Sequence, residues 1–429
     1  MMGAVGRTNK VERDDLMKLA VIADDLTGAL DTGIKFAGGS NQVQVWAGGL
    51  PGEQARSADV LVVDGELRHS SPEQAYKDCI DIVRRVLDAG AERLYIKTDS
   101  ALRGNIGPMF QAALDASRWK FAAFVPAFPQ MDRITRKGIH YNGGVPIHES
   151  VFGKDPFEPV RSSQVADLFR GLKVETRLFE RGDPLAPVTG RPTVGIFDAE
   201  SCEDLDRIAE KLKQAGMFQL LGGCAGFASR LSGPLGLEQD VRSLAPDKRP
   251  LLVLCGSLNP ISKDQLAFGE SRGGIRLSLD STQLVPEYVN GPEGERLIDR
   301  IENAMESGRD ILLDTAGPMG ENQENNRRET VAQALGALMY HLLHSSHIEA
   351  YQPMVIGGDT LMGLIHHLPA SQLSPLAEPV PGVVLSQIQV GDGQTRTLLS
   401  KSGGFGKKEL FSQLHDALAR GVARGPFQS

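Results

Sequence analysis

The chain has 429 residues, 41 % hydrophobic and 23 % charged, with a formal net charge of −8 at pH 7. That length suits two domains, or three, with a core large enough to need no disulfide or metal staple, and the acidic balance excludes a general nucleic-acid binder while leaving room for a local basic pocket. No apolar run is long enough for a membrane helix, the first 16 residues lack the apolar middle of a secretory signal, and the four cysteines (Cys79, Cys202, Cys224, Cys255) form no CxxC pair, so a cytoplasmic protein with free thiols is expected.

From residue 18 onward, short β-branched runs alternate with helical patterns. KLAVIA (18–23), 42–47 and DVLVVD (59–64) predict strands, and 72–87 predicts a helix capped by Ser71. RLYIK (93–97), FAAFVP (121–126), 193–198 and 218–222 predict four more strands. The stretch 126–147 reads as a long irregular loop carrying Arg133, Arg136, Lys137 and His140, and ordered loops of that length are commonly functional. Residues 232–249 turn rich in Gly, Pro and charge, as a linker would. Beyond it, LLVLC (251–255), ILLD (311–314), 354–356 and 395–400 predict strands, with helices over 292–306, 326–346 and 407–420. The pattern predicts an α/β fold of two domains, 17–231 and 250–429, each a mainly parallel sheet flanked by helices, with the active site in the cleft between them.

In open α/β sheets, ligands bind beyond the carboxyl ends of the strands. The first strand runs into ADDLTGALDTG (23–33), where Asp24 and Asp25 could hold Mg²⁺, accept a proton, or fix hydroxyls, and where one Asp could simply cap the next helix. The loop KTDSALRGNIGP (97–108) gathers Lys97, Thr98, Asp99, Ser100 and Arg103. Its Lys and Arg suit a carboxylate, and its Asp and Ser suit sugar-like hydroxyls. Arg68 follows another strand, a position where a lone Arg is ordinarily a solvated surface residue. In the second half Ser257 (CGSLN), the run Gly357, Gly358, Asp359 and Thr360, and the turn KSGGFG (401–406) all follow strands. Three glycine turns at three strand ends point to a nucleotide crevice, because backbone N–H groups can approach phosphate there. Neither GxxxxGK[ST] nor GxGxxG with a later acid is present, which disfavours a P-loop enzyme and a nicotinamide dehydrogenase. His341, His344 and His347 could line one side of a helix and bind a metal, but a polar helix end, where His suits the dipole, is the favoured reading.

These motifs, in this order over about 18–415, resemble the four-carbon acid sugar kinases, and the loop KTDSALRGN resembles their D-threonate branch. The resemblance implies an N-terminal domain that binds the acid and a C-terminal domain that binds ATP. It implies that Asp25, Arg68, Lys97, Thr98, Asp99 and Ser100 contact the acid, with Arg103 in the same loop, and that Ser257, Gly357, Gly358, Asp359, Thr360 and Gly403 contact ATP. Asp25, with Asp24 as substitute, is expected to orient and deprotonate the attacking hydroxyl, and Mg²⁺ is expected with ATP, its protein ligands unassigned. The expected partners are the sugar acid and ATP, with no nucleic acid or membrane and with self-association left open. GGDT stands where the family more often has GGET, and KSGGFG where it has KSGNFG. Alternatives are a kinase for erythronate or 3-oxo-tetronate, or a non-catalytic sensor of acid and nucleotide.

Overall fold

A computed structural model describes residues 17–48, 57–155, 158–185, 188, 190–237, 243–315 and 324–427. The polar stretch 1–16 and part of the expected linker, 238–242, lie outside the described residues.

The first half runs β1 (Leu19–Ala23), α1 (Leu26–Gly33), β2 (Val43–Ala47), β3 (Val60–Asp64), α2 (Pro72–Asp88), β4 (Leu94–Lys97), α3 (Ile106–Ser117), β5 (Phe121–Val125), β6 (Arg133–Arg136), β7 (Ile139–Asn142), β8 (Val145–Pro146), β9 (Glu175–Phe179), β10 (Thr193–Phe197), α4 (Cys202–Gln214), β11 (Leu220–Gly223), α5 (Ala225–Ala228) and α6 (Ser232–Leu235). Every residue of β1 and β3 is buried, as expected of strands covered on both faces. Helix α2 starts where Ser71 accepts from the Gln74 amide at 3.2 Å with Pro72 next, and it buries the stripe Ala75, Cys79, Val83, Val86.

The second half runs β12 (Leu251–Cys255), α7 (Pro260–Ser271), β13 (Ile275–Leu279), α8 (Pro286–Val289), α9 (Pro292–Met305), β14 (Ile311–Thr315), α10 (Glu324–Leu343), β15 (Gln352–Ile356), α11 (Gly358–Ile365), β16 (Gln372–Val380), β17 (Val383–Gly391), β18 (Gln394–Lys401) and α12 (Leu410–Arg420). Strands β1–β5 and β9–β11 are parallel, in the order β2-β3-β1-β4-β11-β5-β10-β9. The second set, β13-β14-β12-β15-β18, is also parallel and is extended by the antiparallel β17 and β16. The two sets meet edge to edge, Gln372 opposite Trp46 and Leu373 opposite Val45, making one 15-stranded sheet. A buried ion pair, Lys35 Nζ to Glu378 Oε2 at 2.6 Å, reinforces the seam. The stretch 126–147, expected to be irregular, instead forms the antiparallel sheet β6-β7-β8.

Two reversals of strand order create crevices. Strand β1 lies between β3 and β4; α1 leads away to the β2 side and α3 to the β5 side, so the loops after β1 and β4 diverge. Likewise β12 lies beside β15; α7 leads to β13 while the chain after α11 leads to β16, opening a second crevice.

Candidate functional site

At the first crevice Asp25 is the N-cap of α1: its Oδ1 accepts from the Gly28 amide at 3.0 Å and its Oδ2 from Thr27 Oγ1 at 2.8 Å. The capping role is therefore real, and the carboxylate has further partners. Arg68 grips Asp24 with two donors, at 2.8 and 2.9 Å, and reaches Asp25 with a third at 2.8 Å. Its side chain is 12 % exposed, unlike an ordinary solvated surface arginine, because the carboxylates draw it in. Lys97 Nζ completes the cluster, 3.5 Å from Asp24 and 3.9 Å from Asp25. Burial works against the charge on Asp25, but Arg68 and Lys97 outweigh it and hold the carboxyl below its ordinary value. Lys97 is likewise desolvated, yet Asp24 and Asp25 raise it above the ordinary lysine value. The close approach requires Gly28, where a Cβ would lie 2.2 Å from Lys97 Nζ.

The sheet β6-β7-β8 folds over the loop that follows β4. Asp99 pairs with Arg103 at 2.7 Å, and Arg103 also reaches Asp155 at 3.0 Å. Desolvation would raise the Asp99 carboxyl, but Arg103, then Arg68, drive it far below the carboxylate range. Arg133 Nη1 donates to Ser100 Oγ. His140 is fully buried between Thr135 Oγ1 (Nδ1, 3.0 Å) and the Ser100 carbonyl (Nε2, 3.0 Å). A carbonyl only accepts, so the proton sits on Nε2 and Nδ1 accepts from Thr135. Burial pulls the His140 pKa down to about 4. The fold thus binds the imidazole neutral while the unfolded chain takes up a proton near 6.5, so stability drops by about 3 kcal/mol as pH falls from 6.5 to 4. Urea titrations across that range should show the loss in the wild type and not in His140→Gln; equal pH profiles would contradict it.

Two polar atoms here serve no internal bond: Thr98 Oγ1 and Asp64 Oδ2 are buried without a hydrogen-bond partner. Asp64 ends β3 in register with Ala23, and burial pushes its carboxyl well above the ordinary range. Sequence reasoning passed over it as an ordinary strand end.

In the second crevice the three glycine turns converge. A Cβ on Gly403 would lie 2.0 Å from Ser257 Oγ, one on Gly256 would lie 2.0 Å from Thr360 Oγ1, and one on Gly357 (φ +116°) would lie 3.5 Å from the Ser257 amide nitrogen. Asn259 caps α7 by accepting from the Ile261 amide at 3.0 Å. Lys401, 1 % exposed, donates to the carbonyls of Ser402 (2.8 Å), Gly403 (3.3 Å) and Phe405 (3.0 Å). From α7, Ser262 Oγ donates to the Gly403 carbonyl at 2.8 Å and Gln265 Nε2 to the Phe405 carbonyl at 2.9 Å. In a trans peptide C=O and N–H point in opposite directions. Turning carbonyls 402, 403 and 405 onto the lysine therefore directs the amides of Gly403, Gly404 and Gly406 away from it. An edge of glycine amides of this kind can cradle an anion. Sequence reasoning also missed Asp314, the penultimate residue of β14 beside this crevice, which accepts from Arg276 (2.6 Å), Ser278 (2.6 Å) and Lys263 (3.3 Å); an acid near the end of a strand was its only signal.

The two crevices touch. A Cβ on Gly358, the first residue of α11, would lie 3.6 Å from Thr27 of α1. Arg328 pairs with Asp359 at 2.6 Å and reaches His69 Nε2 at 3.2 Å, next to Arg68. All the sequence-predicted acid residues thus lie around the first crevice and all the predicted nucleotide residues around the second. The histidine trio stands apart: His344 bridges the carbonyls of Tyr340 (2.8 Å) and Val390 (3.0 Å), and His341 meets Asn290 Oδ1 at 3.3 Å. Among the described residues no group of three or more His, Cys, Asp or Glu is gathered as a metal cage, and no helix is long and apolar enough to cross a membrane.

The chain matches two family models, a sugar-binding N-terminal domain over residues 19–231 and a nucleotide-binding C-terminal domain over 252–411. Its relatives include a D-threonate kinase of Salmonella typhimurium, 28 % identical over 94 % of this chain and 98 % of its own, and one of Bordetella bronchiseptica, 28 % identical over 93 % and 97 %. A D-erythronate kinase of Heliobacterium modesticaldum is 24 % identical over 92 % and 95 %. In fold, the chain is similar to solved proteins of Salmonella typhimurium (TM-score 0.73, 19 % identity, 93 % of this chain and 98 % of that one) and Haemophilus influenzae (TM-score 0.69, 21 % identity, 92 % and 99 %). With an acid-and-base crevice in the half that matches a sugar-binding domain, and a glycine-lined one in the half that matches a nucleotide-binding domain, the chain belongs to the four-carbon acid sugar kinase family.

Proposed function

We propose that this protein is an ATP-dependent kinase that phosphorylates the terminal hydroxyl of a four-carbon sugar acid, with D-threonate, giving D-threonate 4-phosphate, as the first substrate to test. The observation that carries the reading is the approach of the two crevices at Thr27 and Gly358, which sets the first turn of α1 against the N-terminus of α11. Phosphoryl transfer depends chiefly on positioning and charge neutralisation, so two facing sites that hold donor and acceptor are what the reaction needs.

The triphosphate lies along the amides of Gly403, Gly404 and Gly406 and the N-terminus of α11, with Ser257 and Thr360 between them. The acid lies beyond β1 and β4, its hydroxyls facing Asp25, Thr98 and Asp99. Asp25 accepts from the attacking hydroxyl, and the Arg68 and Lys97 charges keep it ionised to do so. Mg²⁺ fits as an ion carried by nucleotide phosphates with one nearby carboxylate, Asp359 at the α11 N-terminus, rather than in a protein cage. Its chemistry would be to neutralise charge on the transferring phosphoryl group.

A reaction containing the protein, ATP, Mg²⁺ and one acid from a panel of D-threonate, D-erythronate and 3-oxo-tetronate, followed by mass spectrometry, tests this. A phosphorylated D-threonate formed faster than the other products is expected. Faster turnover of another acid reassigns the substrate, and ATP left intact with all three sinks the kinase reading.

A further inference from the structure

The cations nominated for the substrate carboxylate are already occupied. Arg68 spends three donors on Asp24 and Asp25, Lys97 stands between the same two acids, and Arg103 is shared by Asp99 and Asp155. A carboxylate bound by any of them would share a cation whose charge is already balanced by acids of the protein itself. Arg133 differs. Its hydrogen bonds go to neutral groups, Ser100 Oγ and Asn142 Oδ1 (3.4 Å), and its guanidinium lies 4.8 Å from the centroid of the Phe152 ring. Among the described residues it forms no ion pair. A partly buried guanidinium without a carboxylate is costly, and the cost is removed when an anion arrives. Burial holds the Arg133 guanidinium below its ordinary value despite the nearby charge of Asp99.

Position supports the same role. Arg133 begins β6, in the small sheet that covers the carboxyl end of β4, and it reaches into the loop between Lys97 and Arg103 at Ser100. His140, also from that sheet, holds the Ser100 carbonyl and fixes the loop beneath the guanidinium.

We propose that Arg133 is the anchor for the substrate carboxylate, and that Arg68 instead holds Asp24 and Asp25 in place. The assignment rests on the acid crevice described under the proposed function. A guanidinium takes a carboxylate through two parallel bonds, which an ammonium cannot copy. The arrangement therefore selects acids over uncharged polyols of the same shape.

Calorimetric titration of D-threonate and of its uncharged amide, in the absence of nucleotide, tests the anchor apart from turnover. The wild type should bind the acid tighter than the amide. Arg133→Met should weaken the acid by roughly 30- to 100-fold, leave the amide within about threefold, and so erase the preference; Arg133→Lys should recover part of it. Acid binding unchanged in Arg133→Met, or acid and amide weakened in parallel, overturns the proposal. Wild-type protein that binds the acid through Arg133 but transfers no phosphate would overturn the kinase reading and leave the anchor standing. Wild-type protein that binds neither compound overturns the anchor, and the kinase reading is then decided by turnover across the three acids.

Discussion

Replacing Asp25 by Asn is expected to lower kcat by about 10²- to 10⁴-fold, the range for losing a general base, in an assay that couples ADP release to acid phosphorylation. The carboxylate accepts three hydrogen bonds, from Gly28 N, Thr27 Oγ1 and Arg68 Nη1. Asn keeps an oxygen for the Gly28 amide, so helix α1 stays capped, but it loses the charge that Arg68 and Lys97 maintain. Asp24 predicts a different outcome. It is 1 % exposed and takes two donors of Arg68, so Asp24→Asn leaves a buried guanidinium half paired and should lower the melting temperature together with the activity. Should Asp25→Asn retain wild-type kcat, Asp25 has no role in the transfer and acts as a cap alone.

Lys401→Met should raise KM for ATP by at least 10-fold and lower the melting temperature, while the calorimetric affinity for the acid is unchanged. The ammonium is the common donor to three carbonyls of the turn that follows it. Methionine fills the volume but donates nothing, so the Gly403 and Phe405 carbonyls keep only Ser262 and Gln265 and the Ser402 carbonyl only the Phe405 amide at 3.4 Å, and each lost bond to a charged donor costs about 1.5–3 kcal/mol. The turn then rotates its peptides and scatters the amides of Gly403, Gly404 and Gly406. Burial lowers the Lys401 pKa to about 8, with the Cys255 thiol as the opposing neighbour. An anion favours the protonated form, so wild-type nucleotide affinity should decline as pH rises through about 8, and the decline should be absent from Lys401→Met. A flat wild-type profile together with an unchanged KM would rule out this role.

The buried strands were legible because a strand covered on both faces must be a near-continuous apolar run: LAVIA, VLVVD and LLVLC each lie within a residue of where the pattern places them. The strands that were missed lack that constraint. Glu175–Phe179 (ETRLF) is an edge strand with four exposed residues, Ile275–Leu279 is an edge strand of mostly half-buried ones, and Gln372–Val380 carries Pro375 and Pro379. Proline argues against a central strand, yet β16 is the one that joins the two halves. Frequent turns and sparse apolar residues give the 126–147 segment an irregular pattern, whereas contacts with the loop after β4 and with Ala199 order it as a sheet.

By itself the sequence determined the alternation of strands and helices, the buried strands, and the placement of acids, bases and glycines at strand ends, because these depend on local periodicity and on residue chemistry. Only the tertiary structure decided which cations are already neutralised and which is left over, that Lys401 points inward, and that the two sets of strands join into one sheet. Those are matters of pairing across long sequence separations, 44 residues from Asp24 to Arg68 and 343 from Lys35 to Glu378. A charged side chain's role follows from the partner it meets in space, and local sequence carries no record of that partner.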